Sequence, residues 1–270
     1  MNNILIRTLS GSVFIAVIIT AVLFGNFIQL AIFTIFTLLG IFEFVQFFKN
    51  DDQINPSLLG AIAFNVNIIF LAVLAMIFQE GVFLLLNIPI FFLLFIVEMY
   101  RQKGNPILNM GILLLSTFYI TIPLLLLSVI SFMTGDAALL ILGMFVLIWT
   151  NDTFAFLSGK FFGKTKLIER ISPKKTWEGT IGGIILTGLM AFSFALLFDE
   201  THKMFWMVSA ILLSICAIFG DLLESLMKRT VNVKDSGNIM PGHGGILDRF
   251  DATLLAVPFY FIWILIYFQS

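Results

Sequence analysis

Long apolar runs broken by short polar stretches alternate along the whole chain, and none shows the period-two alternation of a half-buried strand. A helix needs roughly 20 apolar residues to cross hydrocarbon. By that measure nine spans are predicted, at about 9–24, 27–48, 57–78, 82–98, 107–132, 136–157, 179–198, 204–227 and 249–268. The bilayer interior offers the backbone no water, so only helices or closed barrels can span it, and continuous runs select helices. The expected fold class is an all-α integral membrane protein, a polytopic bundle of about nine transmembrane helices with a cytoplasmic-facing polar active site. No low-complexity linker or fixed repeat divides the chain. Residues 1–270 read as a single membrane domain, with hydrophobic helices in 1–135 and the chemistry-bearing helices and loops in 136–270.

Composition agrees: 60% of residues are hydrophobic and only 11% charged, with a mean hydropathy of +1.06, which excludes a water-soluble globular domain. The first apolar run lacks a small-x-small cleavage site and precedes many more, so it reads as an uncleaved first helix and not as a signal peptide. Cys216 is the single cysteine, so no internal disulfide can form. Charge matters through its distribution. With a cytoplasmic N-terminus, nine crossings put every Lys and Arg except Lys203 on the inner side, as the positive-inside rule requires. Both polar loops of the C-terminal half then face the cytoplasm, the C-terminus faces outward, and the chain is expected in the inner, cytoplasmic membrane as a multi-pass protein.

Candidate chemistry concentrates in 221–251, DLLESLMKRTVNVKDSGNIMPGHGGILDRFD. Asp221, Glu224, Ser225 and Lys228 recur at i, i+3, i+4 and i+7 and share one helix face. Asp248 and Asp251 repeat the i, i+3 spacing. The Gly/Pro-rich turn from Gly237 to Gly245 can fold back and bring the carboxylates together. Such convergence suits Mg²⁺, which takes one or two carboxylates and leaves its other positions to water and phosphate. Asp221, Asp248 and Asp251 are the expected metal ligands. Lys228, Arg229, Lys234, His243 and Arg249 would face phosphate oxygens, Lys228 and Arg229 nearest the reacting phosphorus. Asp235 fits a metal ligand or a turn cap equally.

A second polar stretch, 151–179, begins at Asp152 and carries Gly159-Lys160 and Gly163-Lys164, backbone freedom beside cations that suits phosphate binding. Ser172-Pro173-Lys174-Lys175-Thr176-x-Glu178-Gly179 reads as a helix start with Pro in its first turn, a place where anions bind. The same bases could equally set topology and touch anionic headgroups. In the N-terminal half, Glu43 is an intramembrane acid and a functional candidate on that ground, although it lies within reach of the headgroups. Asp136, Asp199, Glu200 and His202 read as solvated outer-loop residues.

The pattern Ser225-x-x-Lys228-Arg229, Lys234-Asp235 and Pro241-x-His243-Gly244-Gly245-x-x-Asp248-Arg249-x-Asp251 resembles the signature of phosphatidate cytidylyltransferases, the CDP-diacylglycerol synthases. Asp152-x-x-Ala155-Phe156-x-x-Gly159-Lys160 followed by Ser172-Pro173-Lys174-x-Thr176-x-Glu178-Gly179 is similar to a second region of the same family. Phe156 stands where that pattern carries tyrosine, so no hydroxyl is available there. The resemblance implies an enzyme that joins CTP to phosphatidic acid with Mg²⁺, with room for a second metal or a monovalent cation, and releases pyrophosphate. It implies catalytic roles for Asp221, Lys228, Arg229, Asp248 and Asp251. Substrate binding would fall to Asp152, Lys160, Ser172, Lys174, Lys175, Thr176, Glu178, Ser225, Lys234, His243 and Arg249. The partners expected are CTP, phosphatidic acid and membrane lipids, no nucleic acid, and a second copy in a homodimer. A CTP-dependent transferase acting on another lipid, or an ion or metabolite transporter, are the alternatives. Against a transporter, the ionisable residues cluster in one half and on one side.

Overall fold

The computed structural model describes residues 3–48, 53–233, 236–237, 239–242 and 244–269. Lys234, Asp235 and His243 therefore lie outside the described residues. The helices in chain order are α1 (Asn3–Phe24), α2 (Asn26–Phe47), α3 (Leu58–Phe78), the single turn α4 (Val82–Leu85), α5 (Asn87–Arg101) and α6 (Pro106–Ser116). A π-helical turn, Thr117–Thr121, joins α6 to α7 (Ile122–Met133), and α8 (Ala137–Phe162) follows. A two-stranded antiparallel hairpin, β1 (Lys166–Ile168) and β2 (Ser172–Thr176), leads into α9 (Trp177–Phe198). A 3₁₀ turn at Glu200–His202 precedes α10 (Lys203–Thr230), and α11 (Leu247–Gln269) closes the order.

Among the described residues, nine helical stretches are long and apolar enough to cross a membrane. They correspond to the nine predicted runs. Lipid tails are as apolar as leucine, so helices associate there by close packing, and small residues mark the closest approaches. At Gly179 an added Cβ would stand 2.7 Å from the Ala155 carbonyl oxygen and 3.1 Å from the Gly159 Cα. Gly159 thus brings α8 against α9 instead of loosening a phosphate loop. At Gly220 the same atom would stand 2.6 Å from the Asp251 carbonyl oxygen, so α10 and α11 cross backbone to backbone there. This crossing sets Asp221 and Asp251 beside one another.

The opposite end of the bundle is held by aromatic packing. Phe205 stacks on Trp263 with centroids 5.9 Å apart, and the buried Tyr260 hydroxyl donates to the Leu140 carbonyl oxygen at 3.0 Å. There Asp199 takes bonds from His202 at 2.8 Å and from the Trp206 indole at 2.9 Å. Burial pushes the Asp199 carboxyl up, but these bonds outweigh it and hold the group below the usual aspartate range.

Two local expectations change. Helix α8 runs on to Phe162, so Asp152 and Lys160 are helical and not part of a loop. Ser172-Pro173 belongs to β2 and not to a helix; proline is tolerated on an edge strand, and this hairpin is all edge. The helix starts later, at Trp177, where the Thr176 side chain accepts from the Gly179 N–H at 3.2 Å.

Candidate active site

Five helices (α1, α8, α9, α10 and α11) and the hairpin converge at the end of the bundle that carries the C-terminus of α8 and the N-terminus of α11. Between them lies a cavity of about 840 Å³ lined by Asp152 and Lys160 of α8, Ser172, Lys174, Lys175 and Thr176 of β2, Asp221 of α10, and Asp248, Arg249 and Asp251 of α11. Its wall also includes Ile15 of α1 and Phe156 of α8, which are 39% and 67% exposed, so the polar chamber runs out to an apolar outer surface of the bundle. A second cavity of about 760 Å³ shares Asp248, Arg249 and Asp251 and adds Arg7, Glu224 and Lys228.

The helical spacing read from the sequence produces this wall. On α10, the Ser225 hydroxyl donates to Asp221 Oδ1 at 3.3 Å, and Lys228 Nζ donates to Glu224 Oε2 at 2.7 Å. Lys228 also reaches Asp248 Oδ1 at 2.7 Å, tying α10 to α11. Lys175 comes from the hairpin to pair with Asp221 Oδ2 at 2.7 Å and bonds the Ile218 carbonyl oxygen at 3.2 Å. The two polar segments, far apart in sequence, thus meet through one ion pair.

Asp248 is almost fully engaged by the protein. Its Oδ2 accepts from the Ser236 N–H at 2.9 Å, the Ser236 hydroxyl at 2.8 Å and the Gly245 N–H at 2.8 Å, while Oδ1 holds Lys228. This carboxylate organises the glycine-rich loop. Asp152 and Asp251 line the first cavity, Asp251 Oδ1 accepts from the Ala252 N–H at 2.7 Å, and among the described residues Glu224 Oε1 is buried without a partner. Among the described residues the Tyr119 hydroxyl is also buried without a partner, and it sits in the field of Glu224, Asp251, Asp221 and Asp248. It is carried by the π-helical turn, which Asn65 braces by accepting from the Thr117 and Thr121 hydroxyls at 2.9 and 2.7 Å. Among the described residues, no three acidic, His or Cys side chains form a ready-made metal cage. A hard cation that draws most of its ligands from water and phosphate fits such a set of partly free carboxylates.

Other expected site residues lie elsewhere. Arg229 is exposed and lines neither cavity, because one step along α10 turns it about 100° away from Lys228. Glu178 faces the hairpin, accepting from the Lys164 and Thr165 N–H groups at 3.1 Å. Sequence reasoning set Glu224 on the Asp221 face without assigning it a site role, passed over Tyr119 and used Arg7 only as a topology marker. Arg7 Nε donates to the Gly242 carbonyl oxygen at 2.8 Å, which places α1 beside the loop. The i, i+3 spacing from Asp221 is what put Glu224 on that face; nothing local flags Tyr119.

Comparison with known proteins gives a consistent result. A profile described as "Cytidylyltransferase family" matches residues 5–267. A Rickettsia typhi protein named phosphatidate cytidylyltransferase is 41% identical over 156 residues, which cover 55% of this chain and 68% of that one. A Rickettsia felis protein of the same name is 36% identical over 187 residues, covering 64% of this chain and 81% of the relative. A Bacillus subtilis protein, again of that name, is 47% identical over 119 residues, 43% of this chain and 44% of its own.

Proposed function

The chain belongs to the cytidylyltransferase family, and we propose that it joins CTP to phosphatidic acid, forming CDP-diacylglycerol and pyrophosphate. One observation carries the reading beyond the family: a single cavity holds carboxylates and lysines and extends to an apolar outer surface. A lipid phosphate can enter it sideways from the bilayer while a nucleotide enters from water.

The chemistry asks for little acid–base work. A phosphate monoester has its second pKa near 6, so at neutral pH phosphatidic acid is already a nucleophile. One of its phosphate oxygens attacks the α-phosphorus of CTP; the new P–O bond forms as the bond to the β-phosphate bridging oxygen breaks, and pyrophosphate leaves. The site's task is to bring two polyanions together and meet the charge that develops. Lys160, Lys174 and Lys175 line the chamber where phosphates would gather. Arg249 lies on the wall common to both cavities, which supports a role for it in meeting the leaving group. Lys228 is held by Glu224 and Asp248 and serves to fix α10 against α11.

Magnesium, when bound, supplies positive charge to the nucleotide phosphates and the departing pyrophosphate. Asp221 and Asp251 would hold it, with Asp152 near enough to contribute to the same chamber. The reading extends to location: a bacterial inner membrane, with this end of the bundle toward the cytoplasm, where CTP is found. The test is purified protein in detergent with radiolabelled CTP, phosphatidic acid and Mg²⁺. Label should move into a lipid that co-migrates with CDP-diacylglycerol. No transfer to phosphatidic acid, with transfer to a polyprenol lipid instead, would replace the acceptor proposed.

A further inference from the structure

Glu43 lies on α2, is 2% exposed, and reaches across the bundle to the start of α11. Its Oε1 accepts from the Ile246 N–H at 3.0 Å and its Oε2 from the Leu247 N–H at 3.0 Å. Leu247 opens α11, whose first N–H groups have no partner within their own helix. Glu43 satisfies them from another element and meets the positive end of the helix with a carboxylate. The surrounding chain is shaped to this group. A Cβ at Gly237 would stand 2.6 Å from Glu43 Oε1, and one at Gly245 would fall against Oε2 and the Ser236 hydroxyl.

Ser236 joins Glu43 to the cavity wall. Its hydroxyl lies 3.4 Å from Glu43 Oε2 and 2.8 Å from Asp248 Oδ2. One proton cannot serve both acceptors at once, so the shorter contact holds Asp248 and the longer one keeps the two carboxylates in register. Asp248, Arg249 and Asp251 all lie within the first five residues of α11, so whatever fixes that turn fixes their placement.

We propose that Glu43 is a positioning residue for the transfer reaction: by capping α11 from α2, it sets where Arg249 and Asp251 stand against the reacting phosphates. The inference rests on the cytidylyl-transfer reading, and it gives α2, which lines neither cavity, a stake in the chemistry. Misplacing a catalytic group by about 1 Å can cost on the order of 100-fold in rate, so loss of the cap should appear in turnover and not in ground-state binding.

The experiment compares wild type, Glu43→Gln, Ser236→Ala and the double variant, by steady-state CTP titration at saturating phosphatidic acid and by thermal unfolding in the same detergent. Gln keeps the length and one acceptor oxygen but turns an NH₂ toward a backbone N–H. The expected result for Glu43→Gln is a kcat lowered roughly 10- to 100-fold, with KM for CTP within about twofold of wild type. Ser236→Ala should lower kcat less, and the double variant should fall short of the product of the single effects, since both act through one contact. A kcat for Glu43→Gln within about twofold of wild type, a change confined to KM, or strictly multiplicative effects would each overturn the proposal. If Glu43→Gln does not fold, Glu43→Asp decides: it keeps the carboxylate but shortens its reach to the Ile246 and Leu247 N–H groups, and wild-type kcat there would equally overturn the proposal. Absence of turnover in wild type would fail the reaction itself, and this inference with it; active wild type with an unaffected Glu43→Gln fails this inference alone.

Discussion

Asp248 and Asp251 stand one helical turn apart and have opposite surroundings. Asp248 is wrapped by Ser236, Gly245 and Lys228, whereas Asp251 lines both cavities with an oxygen to spare. Asp251→Asn should therefore abolish turnover while the thermal midpoint holds, whereas Asp248→Asn should lose turnover and stability together. A buried charged contact of this kind is worth about 1.5–3 kcal/mol, enough to show in a melting curve. Arg229→Ala should leave kcat and KM within about twofold of wild type, because Arg229 lies outside both cavities. Full activity in Asp251→Asn, or a collapse of kcat in Arg229→Ala, would reverse these assignments. The face shared by Asp221, Glu224, Ser225 and Lys228 was legible from spacing, since helical periodicity is local. The engagement of Asp248 was not, because its partners come from a loop whose path no periodicity fixes. Glu43 was visible as an intramembrane acid, but its partners Ile246 and Leu247 lie more than 200 positions away.

At the level of elements, helix–helix distance places the chemistry. Gly220 lets α10 touch α11 at the level of Asp251 and Ala252. Gly220→Val should push the two helices apart, separate Asp221 from Asp251, and lower kcat by on the order of 100-fold in protein that still inserts. Steady-state rates with phosphatidic acid and CTP check this, and wild-type turnover would show that the crossing is not needed. The number of spans followed from the length of the apolar runs. The ends did not: α8 extends past its predicted run to Phe162, carrying Lys160 to the chamber wall. The hairpin escaped notice since β1 and β2 are short, charged strands without alternation. The π-helical turn at Thr117–Thr121 has no signature in composition; its brace, Asn65, comes from α3.

For the whole molecule, the cavity-bearing end carries Arg7, Lys160, Lys174, Lys175, Lys228 and Arg249, whereas Asp199, His202 and Lys203 mark the other. In a Cys216→Ala background, a cysteine placed at Glu169 should react with a membrane-impermeant thiol reagent from the cytoplasmic side only, and one at Thr201 from the opposite side only. The reverse pattern would put the cavity outside, away from CTP. Membrane class and span count were readable because hydropathy acts along the chain; the chamber was not, because it is assembled from α1, α8, β2, α9, α10 and α11. The central claim is that this chamber performs cytidylyl transfer to phosphatidic acid. Its most direct measurement is the stoichiometry of turnover by wild type and Asp251→Asn in the same detergent. Wild type should release one pyrophosphate for each CDP-diacylglycerol formed, only when CTP, phosphatidic acid and Mg²⁺ are all present, and Asp251→Asn should form neither product. Pyrophosphate release independent of phosphatidic acid, or unimpaired transfer by Asp251→Asn, would contradict the account.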